Sequence, residues 1–438
     1  MRLLQHMCAA PPLRSGYAWR VILHDVIGRP AVRWGALAAL GVALGTAVAL
    51  VPRSPAPAAV RVAIRVAGDD LAATTLAEAL AVDVWSEERG AGLPLDVVVA
   101  SPALGALTAA GVAFQILVPD IDAVAAAEAV RLRSPAAHTA DWFGEYRDYK
   151  AITAHLGELT ELGGGRVAMQ ALGTSLEGRP LWALRIGGSA PDAMPMLING
   201  TQHAREWIAA MVATCVADRL VRGYDSDPAI RAFVDHTRLW VVPVVNPDGY
   251  QYSWSGNRYW RKNRRDRYGV DLNRNFSVAF GGTGSSRNER SETYHGPYAF
   301  SEPESAALRD LAMRERFALH VDFHAYGQLL LYPWNYTGTP AKDRARLAGL
   351  GDRMASAMFA AHETRYRLMS GVDLYAAAGT MTDWMYGEAG ALSYTIELRP
   401  KGPGGVGGFV LPPEQIRPTC DEGLAAVLEL RARATSAP

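Results

Sequence analysis

His203 and Glu206 stand three residues apart in the string His203-Ala204-Arg205-Glu206, just after the apolar run Leu197-Ile198-Asn199 and just before an amphipathic stretch that begins at Trp207. In open α/β sheets, ligands bind beyond the carboxyl ends of the strands, so a histidine and a glutamate at a strand-to-helix turn are placed to share one metal ion. Alone, the pair is a weak signal. A third ligand has to come from another strand end, and the segment 317–324 supplies one. Strand alternation puts Ala318, His320, Asp322 and His324 on one face and Phe317, Leu319, Val321 and Phe323 on the other. His324 ends its row, where the strand opens into Ala325-Tyr326-Gly327, whereas His320 lies deeper and reads as an interior histidine with hydrogen-bond partners. Two histidines and a glutamate with the fourth position open form the ligand set of a hydrolytic zinc site, which acidifies a water and polarises a carbonyl oxygen.

The elements that must position these groups follow from periodicity. Beyond residue 140, strands alternate with amphipathic helices, which predicts an α/β domain over 141–438 with a mixed, mostly parallel central sheet and helices on both faces. The clearest strands are 194–199, 239–245 and 317–324. The clearest helices are 207–222, 304–316 and 342–362, the second with Ser301 and Glu304 as a capping box. Residues 58–133 read as a small α+β, ferredoxin-like sandwich with strands at 60–66, 95–100 and 113–118. It has an Ala/Leu helix after the first strand and further helices at 104–110 and 121–129. This unit holds no histidine, no cysteine and no catalytic cluster, so it reads as a folding or covering module. Residues 134–140 read as an exposed linker.

Composition narrows the function classes. The chain has 438 residues, 49% of them hydrophobic, and 44 basic against 44 acidic side chains. That is the balance of a globular protein of two or three domains, and a neutral chain without a long basic run gives no reason to expect nucleic acid as a partner. Cys8, Cys215 and Cys420 cannot build a disulfide framework. Cys215 falls on the apolar stripe of the 207–222 helix and is expected as a buried thiol, with a Cys215–Cys420 bridge as the alternative. Residues 34–51 carry no charge and are long enough to span most of a bilayer core. Arg14, Arg20, Arg29 and Arg33 lie before them and Arg53 follows, which orients the N-terminus to the cytoplasm and the rest outside. Residues 1–57 are thus expected to be either a signal region or a retained anchor. The catalytic part would then be secreted or held outside the cytoplasm, and any contact with a membrane would run through this helix.

Taken together, a longer set of strings carries a family likeness. They begin with Glu177-Gly178-Arg179-Pro180, His203 to Ile208, Val245-Asn246-Pro247-Asp248-Gly249-Tyr250 and Trp260-Arg261-Lys262-Asn263-Arg264. They continue with Gly269 to Phe276, Ser291-Glu292-Thr293-Tyr294-His295-Gly296, His324-Ala325-Tyr326 with Gln328 to Pro333, and Thr395-Ile396-Glu397-Leu398-Arg399. Over nearly 300 residues and in this order, the chain resembles the carboxypeptidase A/B-type zinc metallocarboxypeptidases. The resemblance implies one zinc ion on His203, Glu206 and His324, with Asp271 orienting His203 through its second ring nitrogen. It implies Glu397 as the general base and Arg261 as the group that stabilises the oxyanion. Asn273 and Arg274 would bind the free C-terminal carboxylate of the substrate and Tyr375 would close over its last residue. Arg205 and Tyr326 would line the peptide's path. By the same likeness, residues 58–133 would be a propeptide covering the cleft, released when a trypsin-like protease cuts after Arg131 or Arg133.

The chain also departs from the family pattern. The disulfide near the active-site loops of the animal digestive members falls on Arg267 and Arg290 here, so other contacts must hold the loop 263–292. The specificity-pocket floor falls on Thr382, with Ser370, Thr380 and Asn335 nearby and Leu374, Ala377 and Met381 around the wall. Without a carboxylate at the floor, a C-terminal Lys or Arg would lack a partner, and neutral, apolar or aromatic residues are expected to be released. Asp373, Asp383 and Glu388 are near enough in sequence to change that if one swings in. Rival readings are a peptidase trimming cell-wall peptides, a deacylase of the same superfamily, disfavoured by Asn273, Arg274 and Tyr375, and an inactive zinc- or peptide-binding module. The presence of Glu397 speaks against the last.

Overall fold

The computed structural model describes residues 59–86, 92–134, 141–402 and 408–434. The expected hydrophobic helix at 34–51, Cys8 and residues 135–140 of the linker lie outside them. Among the described residues, no helix is long and apolar enough to cross a membrane.

The N-terminal unit is a four-stranded antiparallel sheet with helices. Its strands are β1 (Arg61–Val66), β2 (Ala81–Val84), β3 (Leu95–Ala100) and β4 (Phe114–Val118), in the order β2-β3-β1-β4. The expected strands and helices are present, and the helix expected at 121–129 runs on through Arg133. The strand β2 went unforeseen. Ala81-Val82-Asp83-Val84 is too short to show a period against the helix Leu71–Leu80 that runs straight into it.

The larger sheet has eight strands: β5 (Val167–Thr174), β6 (Pro180–Gly187), β7 (Met194–Gly200), β8 (Thr237–Val242), β9 (Leu319–Ala325), β10 (Leu329–Tyr332), β11 (Arg367–Ser370) and β12 (Leu392–Leu398). Their order is β11-β10-β12-β9-β7-β8-β6-β5, mixed in direction, with β12, β9, β7 and β8 parallel in its centre. Period-2 alternation divides its side chains between two cores. Met196, Ile198, Leu239, Val241, Leu319, Val321 and Phe323 pack with the helices Trp207–Gly223, Arg344–His362 and Ile416–Ala434, whereas Leu197, Trp240 and Val242 pack with Pro303–Glu315 and Met381–Gly387. Since the odd positions of β9 face the first core, His320, Asp322 and His324 share the opposite face. Phe317 precedes the strand and belongs to the second core, so it lies outside the expected alternation.

Two local expectations fail for identifiable reasons. The helix expected at 304–316 begins at Pro303 with Glu302 as its cap, and no capping box forms. Proline suits the first helical position, and the Glu304 side chain turns into the interior toward Asn263 rather than back to Ser301. Cys215 is not a free thiol: it is bonded to Cys420 across 205 residues, with a Cα–Cα distance of 6.0 Å. The alternative of a bridge thus holds over the expected buried thiol: a cysteine on an apolar helix stripe looks the same in sequence whether reduced or bridged, and spacing over so long a separation does not decide between them. Where the family disulfide is missing, Arg267 and Arg290 both lie against the Tyr268 ring, 5.8 and 5.5 Å from its centroid. Lys262 Nζ fastens the same loop by donating to the carbonyls of Glu289 and Ser291.

Removing a native disulfide that closes so long a loop costs about 2–5 kcal/mol, and for a chain of this size that lowers the melting temperature by about 3–8 °C. A Cys215→Ala/Cys420→Ala variant is expected to melt lower by that amount in non-reducing buffer. Labelling of both cysteines by a thiol reagent in the unreduced parent would remove the bridge from this account.

Candidate active site

The first two ligand candidates sit on the turn between β7 and the helix Trp207–Gly223. Gly200 ends the strand where the helix comes close: a Cβ there would lie 2.8 Å from the carbonyl oxygen of Ala209. Thr201 then takes φ 61°, a left-handed conformation rare for a β-branched residue. It is held by its hydroxyl donating to the Pro243 carbonyl and by Asn246 N donating to its own carbonyl. This sharp exit brings His203 and Glu206 over the end of the sheet, where Ala204 N donates to the carbonyl of Arg261.

His324, near the end of β9, meets them there. His203 Nδ1 lies 2.7 Å from Glu206 Oε1, His324 Nδ1 lies 3.0 Å from Glu206 Oε2, and the two Nδ1 atoms are 3.1 Å apart. All three side chains are buried. Ligand atoms on a tetrahedral zinc with bonds of about 2.0–2.1 Å sit roughly 3.3 Å from one another, so this triangle has the right size. Its chemistry also fits a cation: two imidazole nitrogens facing each other and a carboxylate in a dry site satisfy one another poorly without a positive charge between them. Among the described residues this is the one such group of metal-ligating side chains.

The surroundings are strongly polarised. Burial alone would raise Glu206, but His203 and His324 hold it below the usual carboxylate range. Burial would lower His324, but Asp322 and Glu206 hold it well above the usual histidine range. Behind His203, Nε2 lies 3.2 Å from Asp271 Oδ1, while Asp271 Oδ2 accepts from Arg261 Nη2 at 3.0 Å. Burial opposes the ionised form of Asp271, and Arg261, Arg274 and His203 more than offset that, keeping it well below the ordinary range.

The other expected site residues fall into three groups. Arg261, Arg274, Tyr375 and Arg205 line one residual cavity of about 50 Å³. In it, Arg274 Nη2 donates to the Tyr375 hydroxyl at 2.9 Å and Arg274 Nη1 to the Asn273 carbonyl at 2.7 Å. Asn273 Oδ1 in turn accepts from Met381 N. Glu397 is the register partner of His324 on the neighbouring parallel strand β12, so the two side chains stand side by side on one face. Thr382 is fully buried, with its hydroxyl 2.5 Å from that of Thr395. His320 is an interior histidine as expected: it bonds Ser393 and Asn199, and burial pushes it down to about 4 despite Asp322.

The N-terminal unit closes the other side of the cavity with Val84 and Ser86. Asp83 Oδ2 accepts from Arg205 Nη1 at 2.7 Å, and Tyr326 is buried with its hydroxyl 3.5 Å from the Trp85 carbonyl. A second attachment is a buried ion pair between Glu128 and Arg258, whose guanidinium also donates to the carbonyls of Arg205 and Phe409. Arg131 pairs with Glu145 nearby. Three residues of this region were not foreseen as part of a site. Asp83 lies on the strand that sequence periodicity missed. Glu292, raised by burial and by Asp83 against the pull of Arg205, was read only as part of a matching string. Asp322 stood on the correct face of β9 but had no assigned partner.

Residues 152–426 match the zinc carboxypeptidase family. The chain is 31% identical over 377 residues to carboxypeptidase A1 of Rattus norvegicus, covering 81% of this chain and 87% of that protein. It is 32% identical over 325 residues to carboxypeptidase B of Bos taurus, covering 72% and 76% respectively. Among solved structures, thrombin activatable fibrinolysis inhibitor superposes with a TM-score of 0.79 at 28% identity, covering 86% of this chain and all of that one. Carboxypeptidase A from Helicoverpa armigera does so with a TM-score of 0.78 at 29% identity, covering 87% and 99%. With its ligand triangle of His203, Glu206 and His324 intact, the chain belongs to the zinc carboxypeptidase family and is a metallocarboxypeptidase of the A/B type.

Proposed function

We propose that the protein is an exported carboxypeptidase that releases neutral residues from the C-termini of peptides or proteins, and that the N-terminal sheet holds it as a zymogen. The observation that carries this reading is the gathering of Arg261, Arg274 and Tyr375 on one cavity, linked to His203 through Asp271. Zinc on His203, Glu206 and His324 would acidify a water and polarise the scissile carbonyl. Glu397, beside His324, takes the proton of the attacking water and returns one to the leaving amine. Arg261, anchored by Asp271, faces the developing oxyanion, where such a donor supplies about 2.7–4 kcal/mol of transition-state stabilisation. Arg274 offers a planar fork to the terminal carboxylate with Asn273 beside it, and the Tyr375 hydroxyl occupies that fork until substrate displaces it. Arg205 and Tyr326 line the path of the preceding residues.

Specificity follows from the acids near Thr382. Asp383 is buried and pushed up to about 6, and both its oxygens are engaged by Asn335, through the backbone N and through Nδ2. Asp373 and Glu388 are exposed, and Glu388 accepts from Ser277 and Trp384. The Thr382–Thr395 hydroxyl pair brings no charge to the floor, which suits uncharged side chains. The disulfide suits an oxidising compartment outside the cytoplasm, in keeping with export.

Glu397→Gln is expected to lower kcat by roughly 10²–10⁴-fold with zinc content unchanged. Equal activity in the two proteins would dismiss the general-base role and leave a binding module as the better reading.

On acyl-dipeptides differing only in the last residue, Phe and Leu are expected to leave faster than Lys or Arg. The C-terminal amides should resist cleavage, and a chelator should abolish turnover. Thr382→Asp is expected to shift the preference toward Lys and Arg. Faster release of basic residues by the parent would overturn the pocket assignment, and a clear preference for cell-wall stem peptides would favour the trimming peptidase.

Arg131 lies within a helix and is clasped by Glu145 and Glu128, whereas Arg133 is exposed at its last turn, so cleavage is expected after Arg133. Limited trypsin treatment should raise activity, and Asp83→Ala should raise that of the uncut chain. No gain from either would reject the zymogen reading.

A further inference from the structure

His203 backs onto Asp271, but the second imidazole also has an anion behind it. Given zinc on His203, Glu206 and His324, the Nδ1 atom of His324 faces the metal and its Nε2 carries the proton. Two groups lie near that Nε2. Asn273 Nδ2, at 3.5 Å, is itself a donor, because the Oδ1 of the same amide already accepts from Met381 N. Asp322 Oδ2, at 3.1 Å, is an acceptor.

Asp322 is in turn held from below by a chain of buried polar groups with one consistent direction. Asn199 Nδ2 donates to its Oδ1 at 2.6 Å and Gln202 Nε2 to its Oδ2 at 2.5 Å. With Asn199 so oriented, its Oδ1 accepts from His320 Nε2 at 2.8 Å, which leaves His320 Nδ1 to accept from the Ser393 hydroxyl at 2.7 Å. Asn199, Gln202, His320, Asp322 and Ser393 are all fully buried. Every donor in this chain points toward the carboxylate, so both oxygens of Asp322 act as acceptors, one from Asn199 and the other from Gln202 and His324.

We propose that Asp322 is a positioning residue for His324: a carboxylate, oriented by Asn199 and Gln202, that accepts from Nε2, fixes the ring with Nδ1 toward the zinc and strengthens it as a ligand. Outer partners of this kind are worth 10–100-fold in metal affinity. Asp322→Asn keeps the shape, but it loses the charge and turns an amide donor toward either Asn199 or Gln202.

The test is zinc affinity by competition with a chromophoric chelator, on the zinc-free full chain, with the visible spectrum of the Co(II)-loaded protein as a second readout. Zinc-free melting curves check the fold. The parent is expected to bind one zinc tightly, and failure of that alone would sink the zinc assignment rather than this proposal. Asp322→Asn is expected to bind zinc 10–100-fold more weakly and to show an altered Co(II) spectrum while its zinc-free form melts as a folded protein. Should that variant not fold, Asp322→Ser, which leaves a small hydroxyl acceptor for Asn199, is expected to show the same loss. A folded variant of either kind with zinc affinity within about threefold of the parent and an unchanged Co(II) spectrum would overturn the role.

Discussion

The centre of the molecule depends on keeping ionised carboxylates out of water. Glu206, Asp271 and Asp322 are essentially inaccessible, and each buried ion costs several kcal/mol unless its partners are close and well aimed. The three are neutralised differently. Asp271 has a guanidinium, Asp322 has two amides and an imidazole, and Glu206 has the two imidazoles with which it binds zinc. Zinc is thus part of the electrostatic balance around three carboxylates in a dry cleft. That balance also explains why the neighbouring residues are so densely hydrogen-bonded.

The N-terminal sheet uses the same currency on the open side of the cleft. Arg205 is almost wholly covered and sits over the Phe409 ring, so covering it without an anion would leave a buried, unpaired charge. The short strand β2 delivers that anion as Asp83, and Val84 and Ser86 line the remaining cavity of about 50 Å³, room for a few waters. The covering unit therefore binds through groups that, in the proposed mechanism, serve the substrate. Its second attachment, Glu128 on Arg258, reaches the same place from behind, because that guanidinium also holds the carbonyl of Arg205.

Much of this was legible in the chain because it is local. Alternation along β9 put His320 and His324 on the face of Asp322, position along the strand separated His324 at its end from the interior His320, and the His203–Glu206 spacing marked the turn after β7. What could not be read was long-range pairing. That Glu397 stands beside His324 depends on β12 lying next to β9, a register that no local pattern states; only the family likeness pointed to the residue. The same limit left the Cys215–Cys420 bridge as the alternative to a buried thiol and hid the role of Asp83. The failed capping box at Ser301 has a different cause: a local motif was overridden when the interior captured the Glu304 side chain.

The packing behind the site shows why the disulfide matters to more than stability. The helix that starts at Trp207, directly after Glu206, is bonded through Cys215 to the last helix. That last helix lies so close at Gly423 that a Cβ there would meet Val212 at 2.5 Å and Phe323 at 3.5 Å. Phe323 is the residue before His324. Glu206 and His324, which come from different elements, are therefore braced against one common body: Glu206 through the helix it caps, His324 through the neighbour that packs under that body. Metal ligands have to be held to within about half an ångström to keep their geometry. A covalent tie between the two helices limits their relative sliding on the side of the sheet where the ligands cannot hold one another.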